Sequence, residues 1–236
     1  MNKIITISEH SKQVYENTSY SATNNETGEQ FVASCKAPIE IVHYPVKKFD
    51  LINLDLDLEH DFNFLTVAQW GPRKNLENTV KWFIEEFKDK EVGLIVKTNV
   101  AKNCLLDRRL ALNSLKSLIG NGEDRKCKVY LLHGYMSDQE INSLYNNPKI
   151  KCLLSATHGE GFGLPIFEAA YNGLPVVATD WSGHLDFLYM PSTNKKTKKT
   201  KMKPMFSRVD YELRHVPDHA VWENIIIKDS KWAYPK

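Results

Sequence analysis

Short apolar runs alternating with longer segments of helical periodicity predict an α/β fold, a parallel sheet covered by helices. Three observations carry this expectation. Glu91-Val-Gly-Leu-Ile-Val-Lys97, Phe64-Leu-Thr-Val-Ala68 and Cys152-Leu-Leu-Ser-Ala156 are compact apolar runs, as strands buried on both faces are. The segments between them are long enough to serve as right-handed crossover helices. Glycine-bearing turns follow two of the runs, and a sheet of this kind binds ligands outside the carboxyl ends of its strands.

The elements follow in order. Lys3–Ile7 is a strand candidate, and Ser8 or Ser11 caps a short helix after it. The polar stretch 18–30 reads as a loop. Asp50–Asp61 alternates leucines with polar residues, as an exposed edge strand does. This is the favoured reading of Asp55-x-Asp57, against a metal-binding D-x-D. After the strand at Phe64, Gln69-Trp-Gly-Pro-Arg-Lys74 forms a tight loop. Asn75 caps a helix with Leu76, Val80, Phe83, Ile84 and Phe87 on one face. Lys97 closes the next strand and is a lesser candidate for the site. A helix over Leu105–Ile119 presents Leu105, Leu112, Leu115 and Ile119 to the core, and Gly120-Asn-Gly122 stops it. Lys128–Gly134 reads as a buried strand in which a satisfied core histidine is the favoured reading of His133, against a ligand contact. Ser137-Asp-Gln-Glu140 is a capping box opening a helix to about Tyr145.

The most informative stretch comes next, His158-Gly-Glu-Gly-Phe-Gly-Leu-Pro-Ile-Phe-Glu168. Pro165 suits the first turn of a helix, and Gly173 suits its end. A helix start usually carries Ser, Thr, Asp or Asn to accept its free N–H groups. Here the cap position falls on Gly163 or Leu164, which have no side-chain acceptor. The free donors, with roughly half a positive charge of helix dipole, are left for an anion such as a diphosphate. Glu160 and Glu168 bracket that position. Carboxylates are poor phosphate ligands, so sugar and ribose hydroxyls are their natural partners.

This string, with Gly173-Leu-Pro-Val-Val downstream, resembles the E-x7-E signature of glycosyltransferase family 4, retaining nucleotide-sugar enzymes of GT-B fold. The resemblance implies a Rossmann-like C-terminal domain of that fold and transfer of a sugar from a nucleoside diphosphate sugar with retention of configuration. It implies that Glu160 faces the donor sugar, that Glu168 binds the ribose, and that Gly161, Phe162, Gly163 and Leu164 hold sugar and phosphate. Gly134 would stand beside the nucleotide base. The family's paired Arg and Lys on the diphosphate map onto Lys74 but not onto a Gly-Arg, since Ala68-Gln69 stands there. Arg73 is the substitute cation. No metal or other cofactor is implied. The resemblance also divides the chain into 1–58, a remnant of an acceptor domain and linker; 59–190, the nucleotide-sugar domain; and 191–236, an extension of it. On that division much of the acceptor half is absent. The alternative reading is therefore a binding module without turnover, unless a second copy or a partner chain supplies that half.

Composition narrows the partners. The 236 residues are 42% hydrophobic and 25% charged with net charge +2, so no global polyanion partner is implied. Cys35, Cys104, Cys127 and Cys152 lack the spacing of a metal site or disulfide framework and read as reduced thiols. The expected setting is cytoplasmic, with peripheral attachment at the inner membrane face an option. The acceptor, whether glycan, lipid or protein, is open. After Asp180 and Ser182, read as caps of another short helix, His184 and Asp186 are further candidates. Asn194–Lys203 holds six lysines in ten residues and reads as a mobile, solvated loop. A patch for an anionic acceptor, a membrane or nucleic acid is the alternative, although no interleaved aromatics support base stacking. Met205–Leu213 and Ile225–Ile227 are last strand candidates, with Trp222, Trp232 and Tyr234 covering apolar surface.

Overall fold

The computed structural model describes residues 3–120, 124–223 and 225–236. The chain runs β1 (Ile4–Thr6), α1 (Glu9–Asn17), β2 (Ser19–Thr23), β3 (Gln30–Ser34), β4 (Ile39–Ile41), β5 (Asn63–Val67), α2 (Leu76–Phe87), β6 (Gly93–Lys97) and α3 (Leu105–Ile119). It continues β7 (Lys128–Leu132), α4 (Asp138–Tyr145), β8 (Ile150–Ser155), α5 (Leu164–Tyr171), β9 (Val176–Thr179) and α6 (Leu185–Leu188). Four further elements are strands of hairpins: β10 (Tyr189–Thr193) with β11 (Thr200–Pro204), and β13 (Tyr211–His215) with β14 (Lys231–Pro235). Between these hairpins β12 (Ser207–Val209) joins the main sheet.

That sheet has six strands in the order β12-β9-β8-β5-β6-β7, with every neighbouring pair parallel. The predicted α/β class holds. Successive residues of each inner strand feed opposite faces. Leu94 and Val96 pack with Leu76, Val80, Phe83 and Leu115 on one side of β6. Ile95 packs with Leu65, Leu153, Ile166 and Val176 on the other. A strand buried on both faces has no use for polar alternation, which is why these runs were visible in the sequence. The chain lays down β5, β6 and β7 in one direction, then returns to place β8 on the other side of β5. The strand order therefore reverses between β5 and β8, and a crevice opens at their carboxyl ends.

Several local expectations need correction. Residues 18–30 are not all loop: β2 and β3 pair as an antiparallel hairpin. Asp50–Asp61 forms no strand. It is an extended segment whose Leu54, Leu56 and Leu58 pack on the core while Asp55 and Asp57 face solvent. The alternation was real, but it reflects packing without a ladder partner. Asn75 holds the N-cap position of α2, as expected, but its side chain makes no cap hydrogen bond. It sits in the left-handed region (φ 55°), and its amide donates to Ala156 O at 2.9 Å, tying two loops together. On α3, Asp107, Ala111 and Leu115 face inward, and Leu105 is 76% exposed. Gly120 is the C-cap, whereas Gly122 lies outside the described residues. β7 is half-buried throughout because it is the sheet's outer strand. Neither Asp180 nor Ser182 caps α6, which has no side-chain cap. The lysine run is loop only over 194–199, the turn of the β10–β11 hairpin, whereas 200–203 lie on β11. Ile226 makes only an isolated bridge, to a Trp222 that is 63% exposed.

Candidate active site

Two loops meet at the switch point. The first follows β5 and carries Arg73 and Lys74. The second follows β8 and carries Glu160. Backbone hydrogen bonding joins them before any charge is considered: His158 N donates to Arg73 O at 2.9 Å, and Thr157 Oγ1 donates to the same carbonyl at 3.2 Å. The Arg73 guanidinium donates to Gly159 O and, at 3.1 Å, to Glu160 Oε2. Lys74 Nζ lies 2.6 Å from Glu160 Oε1. One carboxylate thus receives two cations. Burial pushes the Glu160 carboxyl up, but Lys74 and Arg73 outweigh it and hold it below the usual carboxylate range. Burial pulls the Lys74 ammonium below its ordinary value, and Glu160 opposes that shift.

A third loop fixes Glu160 from behind. Ser182 Oγ accepts from Glu160 N at 2.8 Å, and Gly183 N donates to Glu160 O at 2.9 Å. The approach is so close that a Cβ on Gly183 would fall 1.9 Å from Gly161 O. From the amino-terminal segment, Ser8 caps α1 and its hydroxyl donates to Gly161 O at 2.6 Å. His43 and the Glu9 amide both engage Asp186. His184 is fully buried beneath Gly163, with Nε2 on Thr179 O at 2.7 Å.

Gly163 begins α5 in the left-handed region (φ 88°), and no side chain caps the helix. The donors at the start of α5 are therefore left uncapped by side chains, as the sequence suggested. Glu168, in the second turn, behaves unlike Glu160. Among the described residues its only side-chain partner is the Tyr145 hydroxyl, which donates at 3.1 Å. Burial pushes Glu168 up, with the Tyr145 hydrogen bond opposing, and the same contact with burial raises Tyr145 well above its usual value.

The two acids open into different clefts on either side of the glycine loop. Glu160 faces one lined by His10, Ser11, Arg73, Trp181 and Trp232. Glu168 faces one lined by Tyr44, Phe49, Val67, Asp138, Tyr145 and Leu164. Between them Phe162 is 3% exposed, its ring enclosed by His43, Tyr44, Phe167 and Phe187, so a ligand reaches this residue through its backbone. Gly134 (φ 120°) follows β7, accepts from Lys97 and lines neither cleft. His133 is the satisfied histidine expected, 2.7 Å from Asp107. Burial pushes Asp107 up, but three backbone amides and His133 hold it well below the usual range. Among the described residues no group of three His, Cys, Asp or Glu side chains is arranged to hold a metal, and no helix is long and apolar enough to cross a membrane.

Gly183 carried a signal in the sequence, a glycine after the Asp180 turn that allows another backbone to come close, and the structure uses it so. Sequence reasoning passed over Tyr145, Ser182 and Trp181 as parts of the site, because they reach it through tertiary packing.

Residues 57–191, more than half of the chain, match the family described as "Glycosyl transferases group 1", and the chain belongs to that family. Over 119 residues it is 29% identical to the serotype-specific mannosyltransferase WbdA of Escherichia coli, a stretch that is 50% of this chain and 13% of that protein. A glycosyltransferase from Rickettsia africae ESF-5 superposes over 89% of this chain and 49% of its own with a TM-score of 0.54 at 18% identity. Sucrose-phosphate synthase from Thermosynechococcus elongatus does so over 88% and 45% with a TM-score of 0.56 at 17% identity. The chain thus spans less than half of either solved relative. At these identities the likeness establishes the fold, that of GT-B glycosyltransferases.

Proposed function

We propose that this chain binds a nucleoside diphosphate sugar and transfers the sugar to an acceptor with retained anomeric configuration. The observation that supports this most is the Glu160 carboxylate seated between Arg73 and Lys74 beside an uncapped helix start. In the absence of ligand the carboxylate marks where negative charge is stable. A diphosphate placed there draws on the same two cations and on the amides of α5, an electrostatic stabilisation of the departing group. Glu160, relieved of part of its cation contact, is then free to accept from a sugar hydroxyl. Glu168 takes the ribose, with Tyr145 orienting its carboxylate. No metal enters this scheme, because two cations and a helix start already face the leaving group.

A donor spanning both clefts passes over Phe162, so the 43–46 segment must yield as it binds. The mannosyltransferase relative makes a nucleoside diphosphate mannose the first donor to try. Calorimetric titration with UDP, GDP and ADP, then with their sugar conjugates, tests the proposal. Glu168→Gln should weaken free nucleotide about tenfold. Glu160→Gln should leave free nucleotide nearly unchanged and impair the nucleotide sugar. Equal effects on free nucleotide would refute the division of roles, and an inverted product anomer by NMR would refute retention.

A further inference from the structure

The β10–β11 hairpin is not used by the site described above. Four of its lysines, Lys195, Lys196, Lys198 and Lys199, occupy the turn, where Asn194 Oδ1 accepts from the amides of residues 196 and 197. Lys201 and Lys203 lie on β11, opposite Ser192 and Met190. All six are exposed, and no Asp or Glu occurs between Asp186 and Asp210. Every lysine ion pair among the described residues involves other lysines. The hairpin's other face, bearing Pro191, Met202 and Pro204, is uncharged.

At its base the hairpin is firmly held. Tyr189 donates to Asp180 at 2.8 Å, and Met205 N donates to Leu188 O at 2.8 Å. Beside that base runs a groove without a charged residue, walled by Phe167, Tyr171, Leu174, Phe187, Met190 and Met205. Met190 and Met205 are each 53% exposed. The register partner of Met190 is Lys203, so lysine and groove wall stand side by side.

We infer that the β10–β11 hairpin and the groove at its base dock the protein on an anionic phospholipid surface. The lysines meet lipid phosphates, and the methionines and groove take the apolar layer beneath. Either signal alone gives weak attachment, and the two together suffice. Each lysine near an anionic leaflet adds to the attraction, which fades with salt. A nucleic acid would use the lysines but not the groove, and the hairpin's one aromatic, Tyr189, is engaged with Asp180 and with Phe206.

The test is cosedimentation of the full chain with vesicles of phosphatidylcholine alone or mixed with phosphatidylglycerol. The chain should partition to the mixed vesicles only, less as salt rises. Replacing the four turn lysines by Gln should lower partitioning at least about a hundredfold. The hairpin stands off the sheet, so that variant should keep its melting temperature. Met205→Ser should weaken binding roughly tenfold. Equal binding to neutral vesicles, no binding to mixed ones, or binding to a DNA duplex as tight as to mixed vesicles and indifferent to Met205→Ser would overturn the inference. If the serine variant fails to fold, the lysine variant and the DNA comparison still decide.

Discussion

Glu160 and Glu168 are the same residue type with seven residues between them, yet the fold treats them oppositely. Glu160 leaves a loop that three other segments hold, and it faces two cations. Glu168 lies on a helix face and meets a single neutral hydroxyl. Both are partly buried, so burial alone would raise both. It wins at Glu168 and loses at Glu160. Spacing in a motif therefore does not define a role; the charges that other loops bring to each carboxylate do.

The strongest way to break this contrast is to disturb one side only. Gly183→Ala puts a methyl against the Gly161 carbonyl, where only backbone can move. We expect a loss of about 3 kcal/mol or more, read as a drop in melting temperature, with the Glu160 side disordered. Unchanged stability would mean that the loop is looser than its contacts imply. Next in size, Lys74→Met leaves Glu160 partly buried with the half-exposed Arg73 as its remaining cation. The cost should be on the order of 2 kcal/mol by denaturant unfolding. If it equals the cost of Lys74→Met in a Glu160→Gln background, the pair is not coupled.

How much of this was legible depends on where each contact lies in sequence. The sheet strands could be read because burial on both faces leaves an apolar run. α3 was bounded correctly, but its buried face was misassigned because Asp107, a charge, is what turns inward to meet His133. The glycine loop announced itself through a missing cap. The convergence of Lys74 with Glu160 could be expected from topology, since both follow neighbouring strands. The hairpin at 189–204 was hidden because lysine has little strand propensity and the hairpin's uncharged face is mostly exposed, not packed on the core. Asn75 showed a cap residue's chemistry but spends it on Ala156, a partner 81 positions away that no local pattern announces.

On the Glu168 side the sharpest probe is Tyr145→Phe. It removes the hydroxyl at 3.1 Å and leaves the carboxylate without a side-chain donor. We expect a cost of about 1 kcal/mol and no change in the Glu160 cluster. A loss comparable to that from Gly183→Ala would show that the two sides form one network.

The smallest effect is a difference in sign with pH. Glu160 titrates below its unfolded value of 4.5 when folded. Its contribution is therefore present above that value and lost as pH falls through the depressed folded one. Glu168 titrates above 4.5 when folded, so its contribution is fully present below that value and lost as pH rises through the raised one. Melting temperatures of the Gln variants against the parent across the acid range separate the two. The parent's advantage over Glu160→Gln should shrink on acidification, and its advantage over Glu168→Gln should grow. Parallel curves would mean that the two carboxyls share one environment, and the contrast between the clefts would fall with them.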